Sequence, residues 1–222
     1  MASSPTEIQQ KFRAAFKPEV IDGLAKCVWA AYPESHAICS QHLLRDQSHD
    51  VRGHFRRGLI ERNWKNYARR IPGALVRQES NSIGSSKHVV IEIDGVLLTQ
   101  SLADSPNDII QRANFRHTYA EVSQISLFPD PAVVSRALDA GKLYAMFLHG
   151  VSTNPKQPRF MSVVFPTRDC LSYLDDATIH VMAEFEELAK SIRTDNVEAI
   201  GDDLMLELRR LDEDEDSATA TA

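Results

Sequence analysis

Apolar positions in the first third of the chain recur at spacings of three and four, switch near position 74 to the alternation expected of strands, and return to helical spacing after position 175. Ser4-Pro5-Thr6-Glu7 combines a capping serine, a proline suited to the first helical position and a glutamate for a capping box. It predicts a helix to Lys17, stopped by Pro18. Further helices are expected over about Glu19–Tyr32, ending before Pro33, and over about Glu34–Arg45. After the polar break Asp46–Asp50 another runs from about Val51 to Arg70, closed by Pro72-Gly73, with Gly53 and Gly58 weakening its first turns.

His88–Ile93 and Val96–Leu102 flank Asp94-Gly95, the strongest short hairpin signal a sequence offers. Ala74–Gln78 precedes them as a third strand, across the Ser/Gly loop Asn81–Ser86. Ser105-Pro106-Asn107-Asp108 repeats the capping logic and predicts a helix through about Tyr119; Asp130-Pro131 opens a short one that Gly141 terminates. The apolar run Leu143–Leu148 reads as a central strand covered on both faces, pairing with Phe160–Phe165 across the loop His149–Arg159. Amphipathic helices are expected over about Asp175–Ile192 and Asp195–Leu211. The fold class is therefore α+β: a helical basic subdomain (1–73), a body with a small mainly antiparallel sheet and C-terminal amphipathic helices (74–211), and a disordered acidic tail (212–222).

A chain of 222 residues buries enough surface to fold without disulfides or metals. Three cysteines without close pairing suit a reducing compartment, and no apolar stretch reaches the length of a membrane span. A cytoplasmic protein with no membrane association is the expectation.

Charge changes the picture more than composition does. Residues 1–90 carry a balance of +6 and residues 91–222 one of −12. On a helical wheel Ile60, Trp64, Tyr67 and Ile71 form a core stripe, and Arg62, Lys65, Asn66 and Arg69 lie opposite. Arg52, Arg56 and Arg57 precede them, so this segment is the expected contact for phosphates, since arginine binds phosphate in planar, bidentate fashion. The plainer reading is a solvated face, with Arg62 and Lys65 partly neutralised by Glu61. Lys156 and Arg159 add cations at the Pro-stiffened loop between the apolar strands. His149, at the exit of the buried strand, is either a general base or phosphate contact, or a strand-end histidine bonded to backbone. Asp94, Asp169 and Asp175 are its candidate partners.

Glu79, Glu92 and Asp94, on or beside strands with Lys87 upstream, are the ingredients of a Mg²⁺-dependent phosphodiesterase. The acid–any–lysine element of such centres is missing, because Gly95 follows Glu92-Ile93-Asp94. Histidine spacings do not make a zinc site, although Asp176 and His180 stand one helical turn apart. Nucleotide-cofactor fingerprints are absent, so neither a cofactor nor a metal is expected outside the nuclease reading.

The expected function is a non-enzymatic regulatory or interaction module that binds an anionic partner, nucleic acid or an acidic protein, through the Arg-rich helix. Two alternatives stand beside it. One is the metal-dependent nuclease; the other is an adaptor that docks a protein partner or a second copy through the stripes Ile179–Ile192 and Ile200–Leu211. The run Asp212–Asp216 is either a solubilising end or a phosphate mimic that folds back on the basic helix.

Overall fold

The alternating apolar residues of Val89–Ile93, Val96–Leu98 and Leu143–Leu148 send neighbouring side chains to opposite faces of a sheet. The structure is a computed structural model that describes residues 5–80, 87–110, 114–123 and 142–184. Strands β1 (Leu75–Ser80), β2 (Lys87–Ile93), β3 (Val96–Leu102), β4 (Leu143–Val151) and β5 (Pro158–Val164) lie side by side in that order. Every neighbouring pair is antiparallel except β3 and β4, which run parallel with Val96 opposite Leu143. The turn between β2 and β3 is the predicted one: Asp94 (φ 47) and Gly95 (φ 77) are consecutive left-handed residues, as a two-residue hairpin with matching twist requires.

Helices α1 (Pro5–Ala15), α2 (Pro18–His42) and α3 (Arg45–Ala68) cover one face of the sheet. Phe12, Phe16, Leu24, Val28, Ile60 and Trp64 share a core there with Ile91, Leu98, Phe147 and Val163. The other face carries α4 (Asn114–Ser123), in the crossover that the parallel pair demands. Tyr119 and Ala120 of α4 pack there with Val90, Tyr144, Met146 and Val164, and with Cys170 and Tyr173 of the segment after β5. Strand β4 is thus buried from both sides, as its unbroken apolar run predicts. All three cysteines are buried thiols outside any disulfide, Cys27 and Cys39 on α2 and Cys170 against the α4 face.

Several elements depart from the expected boundaries. Pro33 does not divide two helices but sits inside α2. Its ring faces solvent, while Tyr32, Ser35 and Cys39 on either side are buried. Packing on both sides of Pro33 outweighs the roughly 3 kcal/mol a mid-helix proline costs. The stretch Asp46–Asp50 is no break, since α3 begins at Arg45 with Asp46 in its first turn, where a carboxylate suits the helix dipole. The Ser48 hydroxyl is buried there and accepts a bond from Arg52 Nη2 (3.0 Å) one turn on.

Ser105 does not start a helix: its hydroxyl donates to Asp108 Oδ1 (2.8 Å) and its carbonyl accepts from the Asp108 amide, which closes a turn. The helix expected from Asp175 starts later: Asp175–Ala177 is a single 3₁₀ turn, Ile179 pairs with Val163 at the free side of β5, and the chain turns helical only from Val181. Strands β4 and β5 extend into the expected loop and leave only 152–157 outside the ladder. The loop Asn81–Ser86, the helices expected near Asp130 and over Asp195–Leu211, and the acidic tail lie outside the described residues.

Gly150 of β4 lies directly against the Phe160 ring of β5. A Cβ at this position would stand 2.1 Å from a ring carbon of Phe160, itself buried. Gly150→Ala is expected to cost about 2 kcal/mol, in the usual range for overpacking a tight core. A urea titration checks this, and an unchanged midpoint would contradict it.

Candidate functional site

Helix α3 does not present one continuous basic face. Packing against α2 draws part of the Arg-rich segment inward. Arg56 is only 3% exposed, with its guanidinium 4.0 Å above the Tyr32 ring. Burial pulls its pKa down from the ordinary arginine value. Asn66 is buried as well, so neither residue is placed to meet a partner from solvent. Arg57 Nη2 donates to the Lys87 carbonyl (3.1 Å), tying α3 to β2. Arg62 pairs with Glu34 of α2 (3.3 Å) rather than with Glu61. Lys65 is half-buried and Arg69 exposed near the C-terminal end of the helix. At the other end of the sheet, the Arg159 guanidinium donates to the Asp104 carbonyl.

The N-terminal turns of α3 make a different arrangement. His36 and Ser40 from α2, Leu43 just after it, Asp46, Ser48, His49 and Arg52 from α3, and Pro155 from the β4–β5 loop line an open cleft of about 590 Å³. Its permanent cation is Arg52, and Lys156, next to the lining residue Pro155, is close enough to act on His36. Burial, and after it the charges of Arg52 and Lys156, hold the His36 ring below the usual histidine pKa. The Asn154 side chain accepts the Lys156 amide (3.0 Å), an Asx turn that fixes the loop just where the lysine projects. His36 Nδ1 and Arg52 Nε are each buried and have no hydrogen-bond partner among the described residues. Asp46 is the acidic group in the lining.

The carboxylates of the nuclease reading are engaged elsewhere. Arg77 bonds both Glu92 (2.7 Å) and Glu79 (3.2 Å), and the Tyr119 hydroxyl donates to Glu79. Lys87 and Asp94 stand at opposite ends of β2, about 20 Å apart at the rise of an extended strand. Among the described residues no group of three or more His, Cys, Asp or Glu is placed to hold a metal ion. Asp176 and His180 do not share a helix face, because the chain is extended at Ile179 between them.

His149 is fully enclosed (2% exposed), and none of Asp94, Asp169 or Asp175 is bonded to its ring. Its Nδ1 meets the Tyr32 hydroxyl (2.9 Å) and its Nε2 meets Gln100 Oε1 (3.1 Å). Gln100 Nε2 donates to Glu61 Oε1 (2.7 Å), while the Val89 amide donates to Glu61 Oε2. At the other end the Tyr32 hydroxyl also reaches the Gly150 carbonyl (2.9 Å). This interior chain crosses from α3 through β3 and β4 to α2. Burial pushes the Glu61 carboxyl up to about 7, against the opposing pull of Gln100, Val89 and Arg57. Burial, helped by the nearby Arg56 charge, drives the His149 ring down to about 3. A ring so enclosed and so weakly basic is not placed to act on a substrate from solvent.

Sequence reasoning passed over Tyr32 and Gln100, gave Glu61 only as a neutralising surface charge, and weighed His36 only as a zinc ligand. Gln100 carried a signal, since it alternates with Val96 and Leu98 on one side of β3, where a buried polar side chain must find a partner. No protein-family model, curated protein or solved structure matches this chain, so the reading of its site rests on this geometry alone.

Proposed function

We propose that the protein binds a nucleic acid, with its phosphates seated in the cleft between α2, α3 and the β4–β5 loop. The observation that carries this reading is that His36 and Arg52 line one opening and that Lys156, beside the lining residue Pro155, acts with Arg52 on the His36 ring. The unmet Nε of Arg52 and Nδ1 of His36 are positioned as further contacts for phosphate oxygen. The interface is therefore smaller than the whole Arg-rich helix, and it draws its loop cation from Lys156 rather than Arg159. An anion in the cleft favours the protonated His36 ring, so binding should take up a proton and strengthen as pH falls.

The test is fluorescence anisotropy with a labelled oligonucleotide across a salt series, using Arg52→Glu, Lys156→Glu and, as control, Arg69→Glu. Arg69 lies about 25 Å from Arg52 along the helix at its ordinary rise. Each cleft variant is expected to weaken binding about tenfold at low salt, and to reduce the log–log salt slope by about one. The control should leave both nearly unchanged. Absence of salt-dependent binding, or equal losses in all three variants, would overturn the assignment. An oligonucleotide shortened only in Mg²⁺ would turn the reading toward a phosphodiesterase.

A further inference from the structure

The interior chain from Glu61 to Gly150 has two complete sets of hydrogen positions, and they differ at its far end. With Glu61 ionised, the Gln100 amide nitrogen donates to the carboxylate, so Gln100 Oε1 must accept from His149 Nε2–H. The neutral ring then offers a lone pair at Nδ1, which takes the Tyr32 hydrogen. That hydroxyl has one hydrogen and two acceptors at 2.9 Å, so its bond to the Gly150 carbonyl is at best shared.

Protonating Glu61 without rearrangement would set a donor against a donor, because one oxygen faces the Gln100 amide nitrogen and the other the Val89 N–H. Turning the Gln100 amide over removes the clash. The carboxyl then donates to Gln100 Oε1, the amide nitrogen to His149 Nε2, His149 Nδ1–H to the Tyr32 oxygen, and the Tyr32 hydrogen wholly to Gly150. Every donor now has one acceptor. The net change is one proton taken from solvent, bound at Glu61, and one imidazole hydrogen moved from Nε2 to Nδ1.

We propose that the Glu61–Gln100–His149–Tyr32 chain is a proton-reversible latch that, when Glu61 is protonated, fastens the Gly150 carbonyl at the root of the β4–β5 loop to α2. The loop carries Pro155 into the cleft lining with Lys156 next to it, and Tyr32 lies one helical turn before His36, so the latch joins two walls of that opening. This link to the cleft rests on the phosphate-binding reading above; the tautomer change does not.

The groups around the chain are consistent with such a switch. Arg57 of α3 faces Glu61, and Arg56 of α3 faces both His149 and Tyr32, with the Cys39 thiol of α2 beside it. From the sheet come the Val89 amide of β2, Gln100 of β3 and the His149 ring of β4. The shift of Glu61 to about 7 puts its protonation in the neutral range, whereas His149, at about 3, stays uncharged throughout.

The experiment is long-range ¹H–¹⁵N NMR of the histidine rings in the full chain, from about pH 8 to about pH 6, with His149 assigned by its loss in His149→Gln. The His149 ring is expected to pass from the Nε2–H to the Nδ1–H tautomer without an imidazolium signal. Glu61→Gln, whose amide donates permanently to Gln100, should hold Nδ1–H at every pH. One tautomer across the range in the unmodified chain, or an imidazolium, would overturn the latch.

Oligonucleotide affinity supplies the second arm. Glu61→Gln is expected to bind about fivefold tighter than the unmodified chain near pH 8, and Tyr32→Phe about fivefold weaker near pH 6. Equal affinities in all three proteins would overturn the coupling to the cleft. No salt-dependent binding at any pH, with the tautomer change intact, would overturn the cleft reading and its coupling but leave the interior switch standing.

Discussion

Replacing Trp64 by alanine is expected to lower the free energy of unfolding by about 4 kcal/mol, the middle of the range for a buried aromatic side chain. Trp64 is fully enclosed where α3 meets both α2 and the sheet. Its ring lies edge-on to Phe147 of β4, with centroids 5.4 Å apart, and its indole N–H donates to the Leu24 carbonyl (3.1 Å). One residue therefore joins three elements, and little around it can collapse into the space it would leave. Trp64→Phe keeps much of the apolar contact and loses the donor, so its cost should exceed that of the hydrogen bond alone, about 1 kcal/mol, yet stay well below that of alanine. Denaturant midpoints distinguish these outcomes. An alanine variant within about 1 kcal/mol of the parent would mean that the layers are not held together at this point.

The second large effect is a pair of opposed pH dependences. Glu61 is raised from 4.5 to about 7 on folding, so between those values the folded chain holds a proton that the unfolded chain has released. Stability therefore falls as pH rises through that window. His149 is lowered from 6.5 to about 3, so between those values the unfolded chain binds a proton that the folded chain refuses. Here stability falls as pH drops. From 4.5 to 6.5 the two windows overlap, and slopes of about 1.4 kcal/mol per pH unit oppose each other. Removing either group exposes the other. With the opposing slope gone, the Glu61→Gln curve should itself fall as pH drops below about 6.5, and the His149→Gln curve should fall as pH rises from 4.5 toward 7. Urea titrations at several pH values test this, and variant curves parallel to the parent's would contradict both assignments.

The features legible in the sequence are those whose cause is local. Asp94-Gly95 carries its turn in two residues, and Leu143–Leu148 shows its double burial in an unbroken apolar run. The stripe Ile60, Trp64, Tyr67 and Ile71 packs toward the core as its spacing predicts. Local rules misplaced Pro33, Asp46–Asp50 and Ser105, because tertiary packing or a side-chain turn decided those segments.

The candidate site was less visible for the same reason. Arg52 and Arg56 continue the line of Asn63 that packs on α2, which a wheel drawn only from Ile60 onward does not reveal. Tyr32 and His149 meet across 117 positions, and no spacing within one element announces a contact of that kind. The cleft is likewise assembled from two helices and a loop, so Lys156 and Arg52 become neighbours only once the chain has folded.

The placement of the three cysteines gives the molecule a set of internal timers. Burial pushes the Cys27 thiol up to about 12, so an alkylating reagent at neutral pH meets neither an accessible sulfur nor a thiolate until the helical layer opens. Cys170 is buried on the opposite side of the sheet, behind α4. Modification rates at Cys27 and Cys170 therefore clock separate events, one for each layer. Equal rates would describe a chain that opens as a unit, and unequal rates would identify the layer that leaves the sheet first.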